Sequence, residues 1–330
     1  MTGRILVGSC SWADKTLIDS GWYPPSAKSP EDRLRFYSDR FPIVEIDSTF
    51  YAIPQERNPE AWVDRTPPEF TFDVKAYAPF TGHAASVNAL AKELREQLPA
   101  EVREKPNFYA KDLPPEVLDK VWRRFNETLL PLDSAGKLGT VLFQYPPWFG
   151  PRADNRAMIL ESKERLGQYQ MAVEFRNAMW MAEERDRERT LKFLADNGIT
   201  YVCVDEPQGF KSSVPPVTAV TAPTVLVRMH GHNAEMWTKR VKTAAERFDY
   251  LYSEDELREW VSRVTDLASD AREVHVLMNN CHRDYSVRNA REIGEMLGVF
   301  ERSQRSEVRG PRSDEEGAGG EERGQQSRLL

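Results

Sequence analysis

Eight short runs rich in β-branched and aromatic residues recur along the chain, each followed by helical or loop-like sequence, and this alternation restricts the fold more than any other feature. They are RILVGSC (4–10), IVEID (43–47), FTFDVKA (70–76), TVLFQ (140–144), MAVEF (171–175), TYVCVD (200–205), TVLVRM (224–229) and VHVLMN (274–279). A strand that alternates with helices pairs in parallel with its successor, because the helix carries the chain back to the start of the sheet. Eight such units in roughly 300 residues predict a closed (β/α)8 barrel of TIM type, with an open doubly wound sheet as the alternative.

The intervening segments carry helix signals. Ser29 with Pro30 after it reads as a cap and first helical residue, and Ser253 with Glu256 reads as a capping box. Leu257, Trp260, Val261, Val264 and Leu267 then keep to one helical face. Gly167, Gly198 and Gly298 stand where helices should stop. The connection after the third strand, 76–139, is much longer than the others and predicts an elaboration. In it 114–132 has helical spacing through Val117, Val121, Trp122, Phe125 and Leu129, whereas 81–113 mixes polar helix with loop. From about Glu301 the composition turns to Glu, Arg, Ser, Gly and Gln, too poor in apolar residues to offset the entropy of ordering. The expected organisation is one barrel domain over 1–300 and a disordered tail over 301–330.

A formal net charge of −7 and a pI near 5.5 argue against a surface built mainly to hold nucleic acid or anionic lipid. No apolar run reaches the length of a membrane span, and the apolar stretch before Cys10 is too short for a lipoprotein signal. Cys10, Cys203 and Cys281 are widely spaced and form no CxxC, which fits reduced thiols in the cytoplasm better than a disulfide framework.

Side chains on a strand alternate between faces, so in a barrel one parity points to the axis. In VEID, Val44 and Ile46 share one face and Glu45 and Asp47 the other; FDVKAY sets Asp73, Lys75 and Tyr77 against Phe72, Val74 and Ala76. The same rule puts Gln144, Glu174, Arg176, Asp205, Arg228, His230 and Asn279 on the axis side, joined by Ser9 and Ser11. Most stand at C-terminal strand ends, where the active sites of such barrels lie. The competing expectation is an internal ion network without chemistry, since acids and bases nearly balance.

GSCSW (8–12), GWYPP (21–25), VEIDSTFYAIP (44–54), FTFDVKAYAPFTGH (70–83), GTVLFQYPPWF (139–149), AVEFRNAMW (172–180), VRMHGHN (227–233), YLYSEDELREW (250–260) and NNCHRDYSVRNA (279–290) together resemble, in order, the successive blocks of the YecE-like family, domain of unknown function 72. The resemblance spans about 5–298. It implies a TIM-type barrel and supports the choice of residues, but implies no substrate. One departure is His232, where the family pattern has arginine, so an anion contact is not carried over to that position.

Glu174 and Glu45 are the candidate acid/base pair, because two carboxylates in different surroundings can hold opposite protonation states, as hydrolysis of a glycosidic bond or an isomerisation requires. Lys75 is the candidate amine for a Schiff base, with a salt bridge to Glu45 or Asp47 as the plainer expectation. Arg176 and Arg228 would steady negative charge, while Asp47, Gln144, Asn177, Asp205, His230, Asn279 and Asn280 would position a ligand. Arg228, His230, Asn279 and Asn280 come from the quarter of the barrel that often holds phosphate. Trp12, Tyr51 and Tyr77 belong to a crowd of loop aromatics, with Trp148 and Trp237, suited to stacking on a sugar or base. The spacing of His230 and His232 is poor for a shared metal ion, and no metal is expected. With no Walker loop, Rossmann fingerprint, G-x-S-x-G or HExxH, no cofactor is expected. The expected partner is a small polar ligand, such as a carbohydrate, sugar phosphate or nucleotide fragment. A non-catalytic module binding nucleic acid or protein through the same mouth is the alternative.

Overall fold

The eight apolar runs close on one another in a computed structural model that describes residues 2–241 and 243–301. Strands β1 (Arg4–Ser9), β2 (Ile43–Ile46), β3 (Thr71–Lys75), β4 (Leu138–Tyr145), β5 (Gln170–Phe175), β6 (Thr200–Asp205), β7 (Thr224–Met229) and β8 (Glu273–Met278) are parallel and hydrogen-bonded in sequence order, with β8 returning to β1. The result is the expected closed (β/α)8 barrel, α/β and of TIM type, rather than an open sheet.

Two seams have only two residue pairs in register, β5 with β6 and β1 with β2, the latter through Gly8–Ile43 and Ser9–Val44. Glycine is needed there: a Cβ on Gly8 would meet the Ile43 carbonyl oxygen at 2.0 Å. A buried tyrosine repairs the seam. The Ser9 N–H donates to the Tyr37 hydroxyl at 2.8 Å, and that hydroxyl donates to the Ile43 carbonyl at 3.0 Å, so one side chain satisfies a group on each strand.

Among the described residues seven longer helices cover the outside: α1 (Pro30–Ser38), α2 (Arg57–Asp64), α3 (Pro115–Ser134), α4 (Ala153–Leu166), α5 (Glu184–Asp196), α6 (Glu254–Asp270) and α7 (Tyr285–Met296). Ser29 caps α1 and Ser253 caps α6, each in a capping box, and Gly167, Gly198 and Gly298 end helices at positive φ. The long connection after β3 holds two short helical turns, a two-stranded antiparallel ribbon pairing Ala85–Ser86 with Asn107–Phe108, and α3 with its expected apolar face buried. Residues 206–223, between β6 and β7, form no helix. Pro207, Pro215, Pro216 and Pro223 remove N–H donors and exclude helical backbone before each ring. The expected tail over 301–330 lies outside the described residues except for Glu301. No described helix is long and apolar enough to cross a membrane.

Two polar layers interrupt the apolar axis. Near the N-terminal ends, His275 Nδ1 of β8 faces Asp73 Oδ2 of β3 at 2.9 Å, and its Nε2 lies 3.3 Å from Glu273. Asp73 also accepts from the Thr140 N–H at 2.6 Å. The second layer lies toward the mouth.

Candidate functional site

Glu45 of β2, Glu174 of β5 and Arg228 of β7 approach from three sides of the axis. Arg228 Nε and Nη2 donate to the two Glu45 oxygens at 2.9 and 2.8 Å, and its Nη1 donates to Glu174 Oε2 at 2.5 Å. All three side chains are at most 1% exposed. The other Glu174 oxygen collects His230 Nε2 at 3.1 Å and Gln144 Nε2 at 2.6 Å, with Arg176 Nη1 at 3.5 Å. The Asn279 amide donates to His230 Nδ1 at 2.7 Å, which makes His230 a neutral imidazole with its proton on Nε2. Burial agrees, lowering His230 to about 4 against the pull of Glu174.

These contacts decide the charge states. Burial alone would raise the Glu174 carboxyl, but Arg228, His230 and Arg176 outweigh it and hold Glu174 well below the usual carboxylate range. Burial raises Glu45, against the charges of Arg228 and Lys75. Because both its oxygens accept from one guanidinium, a proton on Glu45 would cost it a charge-assisted bond. With Glu174 held ionised and both Glu45 oxygens engaged by one guanidinium, the pair is poorly placed to exchange a proton. The geometry therefore favours a fixed electrostatic floor over the expected Glu174–Glu45 acid/base pair.

Above that floor Lys75 and Asp47 are partly exposed. The expected Lys75 salt bridge gives way to a neutral partner: Nζ donates to Gln144 Oε1 at 3.0 Å and lies 4.8 Å from the Phe50 ring centroid. Burial and then the Arg228 charge lower its pKa, although Glu45, Glu174 and Asp47 oppose them. Burial and then Glu45 push the Asp47 carboxyl up to about 6. The mouth thus pairs an amine that loses its proton more easily than usual with an acid that keeps one longer than usual.

Other expected site residues fall elsewhere. Tyr77 is buried against Phe80, because the chain turns into a 3₁₀ segment after β3 and strand parity ends there. Asn280 is fully buried and donates to the Tyr250 carbonyl and to Asn289, holding loops together. Trp12 packs edge-on to Trp62. Asn177 donates to the Pro147 carbonyl and caps a 3₁₀ turn, so it links two loops. Asp205 lies 2.9 Å from His232 Nε2, and His232 Nδ1 lies 3.2 Å from Glu256. Tyr51 is 63% exposed, at one end of a rim of edge-on rings running through Phe50 and His83 to Trp148. Among the described residues no group of three His, Cys, Asp or Glu is arranged to hold a metal ion.

Sequence reasoning passed over Glu206, His83, Arg247 and His275. His275 shares the axis parity of Asn279, and Glu206 follows the strand-end Asp205, so both had a signal. His83 and Arg247 come from loops, where parity says nothing.

The family model for the protein of unknown function DUF72 matches residues 6–313. The UPF0759 protein YunF of Bacillus subtilis (strain 168) is 35% identical over 299 residues, covering 89% of this chain and 95% of its own. Crystal structures of two DUF72 family proteins superpose over most of the chain. EF0366 from Enterococcus faecalis V583 matches with a TM-score of 0.69 at 25% identity, covering 90% of this chain and 99% of that one. TM1631 from Thermotoga maritima MSB8 matches with a TM-score of 0.69 at 29% identity, covering 89% and 99%. With the family's sequence blocks and its barrel both present along nearly the whole chain, this protein belongs to the DUF72 family.

Proposed function

We propose that the chain is an enzyme acting at the barrel mouth on a small polar carbonyl compound, by proton transfer and a transient imine, with Lys75 and Asp47 as the reacting groups. The observation that carries the reading is the surroundings of Lys75: a strand-end amine whose hydrogen-bond partner is the neutral Gln144, reachable from solvent, beside an acid. A nucleophilic amine must be unprotonated, and desolvation beside a cation is a recognised way to make it so. Nitrogen attack on the carbonyl carbon gives a carbinolamine; protonation of its hydroxyl, for which Asp47 is suited, releases water and leaves the iminium. The iminium then draws electrons from the neighbouring carbon, which lowers the barrier to losing a proton or breaking a carbon–carbon bond there. Isomerisation and lyase chemistry both follow from that intermediate.

Hydrolysis by Glu174 and Glu45 is less well supported, since both are sealed from solvent and engaged by Arg228. The rim of Tyr51, Phe50, His83 and Trp148 suits a ligand with a flat or hydroxylated face.

The test is reductive trapping. The protein is incubated with glycolaldehyde or dihydroxyacetone and cyanoborohydride, and the adducts are mapped by mass spectrometry. Lys75 should be labelled ahead of the exposed lysines, and Lys75→Met should lose that label. Uniform labelling of surface lysines with Lys75 untouched would remove the assignment.

A further inference from the structure

Arg176 follows β5, and Arg247 ends the short helical turn Ala244–Arg247 in the connection between β7 and α6. The Nε groups of both are buried, and neither makes a hydrogen bond. Buried donors are nearly always satisfied in a folded protein, so two unmet guanidinium N–H groups in one neighbourhood call for an acceptor. The acids near Arg176 do not supply it. Glu206 Oε2 is 3.4 Å from its Nε, in a contact that is not an aligned hydrogen bond, and Glu174, 3.5 Å from Arg176 Nη1, is already committed by hydrogen bonds to Arg228, His230 and Gln144. Burial also pushes Glu206 up to about 8, which weakens its hold on the Arg176 charge. Arg247 donates from Nη2 to the Lys239 carbonyl at 3.1 Å, a neutral partner.

Aromatic packing fixes the two groups. Arg176 lies over Trp237, 4.4 Å from the ring centroid. Trp237 meets Phe248, next to Arg247, at 6.4 Å, and both rings pack on His230 at 6.2 and 5.8 Å. Lys75 is linked to Arg176 through Gln144 and Glu174, and Arg176 to the segment of Arg247 through Trp237 and Phe248, so cationic groups from the end of β3, the end of β5 and the β7–α6 connection lie around one region of the mouth.

We propose that Arg176 and Arg247 form a phosphate-binding subsite beside Lys75, which takes the phosphate group of a small phosphorylated carbonyl compound. The inference rests on the reading of Lys75 as the reacting amine and names the substrate class for it. Two guanidinium forks match a phosphate dianion in charge and in donor geometry, better than a lysine would. Arg228, expected from the sequence to hold an anion, is fully engaged by Glu45 and Glu174 and cannot serve.

The experiment is a calorimetric titration of inorganic phosphate at constant ionic strength into wild-type protein, Arg247→Ala, Arg247→Lys and Lys75→Met. Wild type should bind one phosphate saturably. Arg247→Ala should bind roughly tenfold or more weakly and Arg247→Lys at an intermediate affinity, while Lys75→Met should stay within about threefold of wild type. Absence of saturable binding, or equal affinity in wild type and both Arg247 variants, overturns the subsite. Should Arg247→Ala not fold, the lysine variant decides the matter alone. Glycolaldehyde trapping separates this result from the parent reading: a Lys75 adduct without phosphate binding leaves the amine and removes the subsite, and phosphate binding without an adduct does the reverse.

Discussion

Arg228 holds Glu45 and Glu174, whereas burial and the Glu45 charge disfavour an ionised Asp47, and so Glu174 and Asp47 respond in opposite ways to the same kind of substitution. Glu174→Gln removes the charge that Arg228, His230 and Arg176 are arranged around, leaving a sealed cation with half its compensation. Breaking a buried pair from one side costs roughly 3 to 5 kcal/mol, so denaturant unfolding should show a loss of that order. Asp47→Asn should hold or gain stability at pH 7. The folded-state pKa of Asp47, about 6, lies above its ordinary value, so at neutral pH the fold carries an ionised group it disfavours. A large loss in Asp47→Asn would mean that the carboxylate has a structural partner. Gly139 is a third point of tension, because a Cβ there would lie 2.3 Å from Asp73 Oδ1 and 2.9 Å from His275 Cε1. Gly139→Ala should therefore cost about 1 to 3 kcal/mol through overpacking. The carboxylates and the arginine were legible in the sequence as axis-facing residues; that Arg228 would take both glutamates was not, because parity gives a face and not a partner across the barrel.

At the level of elements, the strands and most helices read directly from periodicity and capping chemistry, since those signals act within a few residues. Ser253→Ala tests one of them. The loss should be about 1 kcal/mol from the cap of α6, together with a freer Glu256, which also faces His232. Tyr37→Phe tests a contact that no local signal announces. It strips the buried Ser9 N–H and Ile43 carbonyl of their shared partner at the β1–β2 seam, and an unsatisfied buried group costs roughly 1 to 3 kcal/mol. Amide exchange at Ser9 should accelerate more than at the β4–β5 ladder, which is in register from Thr140 to Tyr145. Between β6 and β7 the prolines of 206–223 interrupt the strand–helix alternation, and that connection is loop.

For the whole molecule, the buried layer of Asp73, His275 and Glu273 ties folding to pH. Burial alone would lower the His275 pKa, but Asp73 and then Glu273 outweigh it and raise it to about 9. Since that lies above the value of about 6.5 in an unfolded chain, the stabilisation is complete below about pH 6.5 and is lost as pH rises through 9. Chemical denaturation across pH 6 to 10 should show a decline on the order of 3 kcal/mol that His275→Gln flattens. Glu206, raised to about 8, adds a slope of the same sign from lower pH, so the comparison between variants is the informative one. An unchanged slope in His275→Gln would mean that His275 is not charged in the fold. By itself the sequence determined the strand count, the barrel, the capped helices and the set of polar residues turned to the axis, because hydrophobic alternation and cap chemistry are short-range properties of the chain. Only the tertiary structure decided which charges meet, which are sealed from water and which stay reachable, because closing the barrel brings together residues as distant as Glu45 and Arg228, and burial then sets their protonation.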